Sequence, residues 1–101
     1  MIIAIVDFEV AAQNRAKALN ILAKESASAA ARPGNLGYRA FTNAGSQTHV
    51  GLMHQWDDLP AFTAYIGSPI FAEIGAKLRP MMISPPISQR LNAEVFEEVR
   101  G

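Results

Sequence analysis

The sequence has no cysteine, one tryptophan, two histidines and no excess of charge of either sign among its 101 residues. Without a thiol there is no disulfide framework, and zinc–thiolate centres, iron–sulfur clusters and cysteine nucleophiles are excluded together. Nine basic residues balance nine acidic ones, so the chain lacks the positive field needed to neutralise several phosphates, and nucleic acid is not expected as a partner. No stretch approaches the ~20 apolar residues of a membrane span, and the opening MIIAIVDFEV has no basic leader and is interrupted by Asp7. A cytoplasmic protein without membrane contact is expected. Neither a glycine-rich phosphate loop nor a Ser-His-Asp constellation can be traced.

What is present is apolar mass: half the residues are hydrophobic and 18% are charged, enough for a buried interior. A second core would leave each half too small to stabilise itself, so residues 1–101 are read as one domain. Residues 2–8, IIAIVDF, are β-branched and aromatic and predict a strand with apolar side chains on both faces. From about 14 to 31 the sequence becomes Ala-rich, with Ala18, Leu19, Leu22 and Ala29 on one helical stripe and Arg15, Lys17, Lys24 and Glu25 largely off it. RPGN at 32–35 ends that helix. LGYRAFT at 36–42 and residues 47–56 predict an antiparallel pair joined by the turn residues NAGSQ. The second of these strands places Val50, Leu52, His54 and Trp56 on one face and His49, Met53 and Gln55 on the other.

Asp57, Asp58 and Pro60 then start a helix carrying Phe62 and Tyr65, a break is expected near Gly67, and Ser68-Pro69 restarts the helix through Ile70, Phe71, Ile74 and Leu78. A last strand is expected at about 86–92, and 93–101 reads equally as a strand extension or a short helix, with EVFEEV as a solvated tail segment. The order strand, helix, strand, strand, helix, strand predicts an α+β, ferredoxin-like βαββαβ plan with an antiparallel sheet. Its helices cover one sheet face, yet Ile3 and Ile5 on the first strand are apolar on the side opposite Ile2, Val6 and Phe8. A homodimer packed sheet to sheet is the simplest cover for that second face.

The junction THVGLMHQWDDLPAFTAY gathers His54, Trp56 and Tyr65. An imidazole with an ordinary pKa of about 6.5 suits proton abstraction near neutrality, making His54 the candidate base. Trp56 offers an indole N–H and Tyr65 a phenol as hydrogen-bond donors. Tyr38, Leu52, Phe62 and Phe71 are expected to line the pocket, with Met81 and Met82 as core filler or pocket rim. Arg39, on the face opposite Tyr38, is expected at a dimer interface or at the surface. His49, beside a turn, is expected to be solvated, and its separation from His54 by five residues puts the two on opposite faces, so no shared metal is expected.

Three segments, ARPGNLGYRAF at 31–41, the strand ending in Trp56 followed by DDLPAFTAY, and SPIFAEIGAKLRPMM at 68–82, resemble the antibiotic biosynthesis monooxygenase family of dimeric α/β barrels. The resemblance implies two ferredoxin-like chains packed sheet against sheet, each with a pocket between sheet and helices. It further implies oxygenation of a polycyclic phenol, anthrone or quinol by O₂ without metal, flavin or haem. His54 stands where family members commonly carry Glu, and Tyr65 where they commonly carry His. Haem-degrading relatives use a histidine on the second helix and an asparagine on the first strand, and residues 68–82 and 2–8 contain neither. The leading expectation is a cofactor-independent monooxygenase acting on such an aromatic. The alternatives are a non-catalytic small-molecule sensing module or a non-oxidative, isomerase-like enzyme on the same fold.

Overall fold

A computed structural model describes all 101 residues. The alternating apolar segment Ile2–Glu9 forms β1, a single 3₁₀ turn follows at Ala12–Asn14, and the Ala-rich segment Arg15–Ala30 forms α1. Then come β2 (Asn35–Phe41), β3 (His49–Trp56), α2 (Leu59–Ile66), α3 (Pro69–Leu78), a 3₁₀ turn at Arg79–Met81, and β4 (Ile87–Asn92). The four strands make one antiparallel sheet in the order β2-β3-β1-β4. This is the expected α+β, ferredoxin-like fold, with β1 and β3 at its centre.

The period of two along the strands sorts the side chains. Ile2, Ala4, Phe8, Val50, Leu52, His54 and Trp56 are buried, and Ala18, Leu22, Phe62, Tyr65 and Leu78 from the three helices join them in the core. Register places Tyr38, His54, Ala4 and Arg90 side by side in one row running across the sheet. Ala4 is the smallest of the four and separates the histidine from the arginine.

The helix breaks expected from sequence are built as read. Asp58 Oδ1 accepts from the Ala61 N–H at 2.9 Å, and Ser68 Oγ accepts from the Phe71 N–H at 3.2 Å while donating to the Tyr65 carbonyl at 2.6 Å. Each such cap contributes about 1 kcal/mol, and together they set the angle at which Phe62, Tyr65 and Phe71 meet the sheet. Gly34 closes the fold at the same end. Its φ of 80° lies in the left-handed region, its carbonyl accepts from the Asp57 N–H at 2.8 Å, and a Cβ there would fall 2.6 Å from Ala61 Cβ.

Three expectations need correction. His49 is not solvated: it is 4% exposed, the Asn43 N–H donates to its Nδ1 at 2.9 Å, and its Nε2–H therefore donates to Asp7 at 2.7 Å. Glu25 does not lie off the buried stripe of α1 but on it, with Ala18, Leu22 and Ala29. Residues 93–101 form neither strand nor helix. They leave Val95, Phe96 and Val99 exposed. No helix is long and apolar enough to cross a membrane.

Gly34→Ala should lose about 1–2 kcal/mol from the left-handed backbone alone, and roughly 1–3 kcal/mol more from the overlap with Ala61. Gly45 also has positive φ, but a Cβ added there would meet nothing within 4 Å, so Gly45→Ala should lose the backbone contribution only. Urea unfolding of the two variants measures the difference, and equal losses would contradict the close-approach argument.

Candidate functional site

Between the helix-facing side of the sheet and helices α2 and α3 lies a cavity of about 220 Å³. β1 contributes Val6 and Phe8, β3 contributes Leu52 and His54, and the helices contribute Phe62, Ile66, Phe71, Gly75 and Leu78. The remaining wall comes from Arg79, Met82, Pro86, Ser88 and Arg90. Of the residues expected at the site, His54, Leu52, Phe62 and Phe71 line this space, and Met82 forms part of its rim. Trp56, Tyr65 and Tyr38 do not. They form the packed layer behind His54.

That layer decides the chemistry of the histidine. Trp56 and His54 are two residues apart on one face of β3, and the Trp56 Nε1–H donates to His54 Nδ1 at 2.8 Å. Indole nitrogen can only donate, so Nδ1 must be the unprotonated nitrogen and the proton of the neutral ring resides on Nε2. Phe62 stacks on the imidazole at 5.9 Å between centroids, Tyr65 and Tyr38 approach it at 5.6 and 5.8 Å, and Trp56 stacks on Tyr65 at 4.9 Å. Burial, assisted by the Arg90 charge, pushes the His54 pKa down to about 4. The ring is therefore neutral near pH 7, with Nδ1 occupied and a proton on Nε2. The expectation that His54 acts as a base does not fit this geometry, and neither does a free Trp56 N–H aimed at a ligand. Through Nε2–H, His54 is a hydrogen-bond donor.

The rest of the lining fits a donor. Two guanidinium groups, Arg79 and Arg90, border the cavity and no carboxylate does. Arg90 lies over the Phe62 ring at 5.3 Å. An apolar chamber with these charges at its edge strengthens any interaction with a developing oxyanion. Sequence reasoning places the last strand correctly but passes over Arg90. The signal is present in the strand's alternation, since Ser88 and Arg90 share the inward face while Ile87 and Leu91 share the other.

Behind His54, away from the cavity, the Tyr38 and Tyr65 hydroxyls and Glu25 Oε1 are buried without a protein partner of standard geometry. Burial is the main cause that raises the pKa of both phenols, and the Glu25 charge adds to it in each. For Tyr38 the neighbouring Tyr65 hydroxyl raises it further, whereas for Tyr65 the Tyr38 hydroxyl works in the opposite direction. Burial, then the nearby Glu73 carboxylate, raises the Glu25 pKa against the pull of Arg32 and Lys77. Both phenols stay protonated at neutral pH. Tyr65, expected as a donor to a ligand, faces this polar cluster and its aromatic neighbours.

Together, an antiparallel sheet, helices over one face and an apolar chamber edged with hydrogen-bond donors define an α+β, ferredoxin-like domain with a cavity between sheet and helices. The chain belongs to the antibiotic biosynthesis monooxygenase family, whose model matches residues 1–77. The fold is shared with a candidate antibiotic biosynthesis monooxygenase from Deinococcus radiodurans, at a TM-score of 0.90 and 17% identity over 100% of both chains. A second such protein, from Caulobacter crescentus, aligns at a TM-score of 0.84 and 20% identity over 92% of this chain and 89% of its own. Rv0793 from Mycobacterium tuberculosis aligns at 0.84 and 18% identity over 97% and 98%. At these identities the likeness is one of fold. No curated protein sequence matches.

The pH dependence of stability tests whether the buried His54 ring is neutral. With a folded pKa of about 4 against an ordinary value of about 6.5, the unfolded chain takes up the His54 proton first as pH falls. Stability is therefore full above about pH 6.5 and lost progressively toward pH 4, by on the order of 3 kcal/mol in all. Glu25 acts in the other direction: its raised pKa gives a contribution that is full below its unfolded value and lost as pH rises through the folded one. Comparing wild type with His54→Gln by urea unfolding at several pH values isolates the histidine. A wild-type slope between pH 7 and pH 5 no steeper than that of the variant would overturn the assignment.

Proposed function

We propose that the cavity binds an electron-rich phenol, anthrone or quinol and promotes its oxygenation by O₂, with no cofactor taking part. The observation that carries this reading is the Trp56 bond that leaves the proton of His54 on Nε2, in a residue lining a carboxylate-free chamber edged by Arg79 and Arg90. Such a site favours the deprotonated form of a bound phenol or enol, whose proton passes to solvent and is regained from solvent at the peroxide stage. The anion gives one electron to O₂, the resulting superoxide and substrate radical combine into a C–O bond, and protonation yields a hydroperoxide. Where that carbon began as the CH₂ of an anthrone, loss of water breaks the O–O bond and leaves a carbonyl. One O₂ and one CH₂ thus become C=O and H₂O. His54 and the guanidiniums stabilise the anionic oxygen, and the aromatic wall excludes water.

The active form in this proposal is a homodimer, in the cytoplasm. The sheet face away from the helices supports it, because Ile3, Ile5, Met53, Phe41, Ile87 and Leu91 share that face, the first three half-buried and the last three exposed. Arg39 shares the same face, next to Met53. Light scattering at micromolar concentration should give twice the chain mass, and Ile5→Lys should halve it. A monomer mass for the unaltered protein would remove the dimer from the proposal.

Oxygen uptake by chelator-treated protein, offered a panel of quinols and anthrones, tests the reaction. Protein-dependent uptake is expected, with kcat lowered about 10²–10³-fold in His54→Ala, the usual loss for one oxyanion donor. Trp56→Phe should also lower kcat, though less than His54→Ala, since without the bond to Nδ1 the neutral ring can carry its proton there and leave Nε2 with none to donate. Binding without uptake would instead identify a sensing module, and His54→Ala with full activity would remove the donor role.

A further inference from the structure

The chamber that holds His54 has a neighbour. Beyond Phe62 and Arg90, between α2 and β4, lies a more open cavity of about 380 Å³ that reaches Leu59, Thr63 and Leu91. Phe62, Ile66 and Arg90 line both spaces. Side chains that wall two adjacent cavities are the partition between them.

The three are not equally fixed. Phe62 is 4% exposed and stacked on His54, so it is part of the core. Ile66 is half-buried near the end of α2 and packs against that core. Arg90 is exposed and stands on the edge strand β4, and its side chain makes no hydrogen bond or ion pair to any group of the chain. Its guanidinium is held only by the face of the Phe62 ring, 5.3 Å away. A cation resting on an aromatic ring in contact with water is a weak tie, and a long side chain on an edge strand has many alternative rotamers.

We propose that Arg90 is a gate between the two cavities and thereby sets the size of molecule that reaches His54. Folded over Phe62, it confines the chamber to about 220 Å³, below the range of about 300–1,000 Å³ usual for ligand sites. That volume suits a compact aromatic. Swung outward, Arg90 joins the chamber to the outer cavity in one slot long enough for an extended ring system. Its guanidinium remains beside the slot to pair with an anionic oxygen. Arg90 shares the helix-facing side of the sheet with Ala4 and His54, so sheet-to-sheet pairing of two chains leaves the gate free to move. This inference rests on the reading of the His54 chamber as a ligand site.

Trp56 is the only tryptophan and donates directly to His54, so its fluorescence reports occupation of the chamber. Stopped-flow quenching with naphthol, which has two fused rings, and anthrone, which has three, measures the two association rates, and their ratio cancels any change in charge common to both. In wild type anthrone should associate more slowly than naphthol. In Arg90→Ala the anthrone-to-naphthol ratio should rise at least about tenfold, because association that waits on a conformational step is slower than direct docking. Arg90→Lys, which keeps the charge but loses the flat guanidinium, should raise the ratio in the same direction. Quenching by naphthol with ratios unchanged in both variants would overturn the gate and leave the chamber standing. Quenching by neither molecule in wild type would overturn the chamber as a site for fused-ring aromatics, and the gate with it.

Discussion

The hydrogen bond from the Trp56 indole to His54 Nδ1 is the interaction on which the rest of the site depends. Both groups lie in the core, where an unpaired N–H or imidazole nitrogen costs about 1–3 kcal/mol, and each satisfies the other from two residues away on the same strand face. The bond holds both rings in place, so Tyr65 can stack on Trp56 while Phe62 stacks on His54. It also selects the tautomer. A strand that placed an acceptor where Trp56 stands would leave Nε2 free to accept a proton, and the same chamber would then present a base.

Across the layer of rings, the two sides of His54 are electrically different. The cavity side carries guanidinium groups and no carboxylate. The other side holds two protonated phenols and Glu25, with one oxygen of each lacking a protein partner. An anionic oxygen is thus favoured in the chamber and disfavoured behind it. The asymmetry follows from which helix covers which strand: α2 and α3 close over β1 and β3, while α1 packs along β2, where Ser26 Oγ donates to the Tyr38 carbonyl at 3.2 Å.

Much of this architecture is legible in sequence because strand periodicity and helix punctuation are local signals. Asp58 and Ser68 announce their helices by chemistry that acts within three residues, and the two-residue period puts His54 beside Trp56 without knowledge of any other element. What could not be read depends on partners far along the chain. His49 is drawn from solvent by Asp7, a distant position in sequence, and by the backbone of Asn43. Glu25 departs from expectation for a different reason. The spacing 18, 22, 25, 29 puts it squarely on the buried stripe, and only its charge argues otherwise; here geometry overrules residue type. The direction of the Trp56 N–H is equally out of reach, since an indole beside an imidazole can point at a ligand or at its neighbour, and packing decides between them.

β4 carries the most informative pattern because its polarity is inverted. Toward the helices, where a strand ordinarily buries apolar side chains, it presents Ser88 and Arg90; on the opposite face it presents Ile87 and Leu91, next to Ile3 and Ile5 of β1. Either feature alone would weaken the strand, one by placing a charge beside the core and the other by leaving apolar surface in water. In the proposed dimer the second sheet covers Ile87 and Leu91, and in the proposed site a ligand's anionic oxygen meets Arg90. Oligomerisation and ligand binding then place complementary demands on the two faces of one six-residue edge strand. An exchange of Ile87 with Ser88 and of Arg90 with Leu91 would leave the composition and length of β4 intact while removing the reason for both.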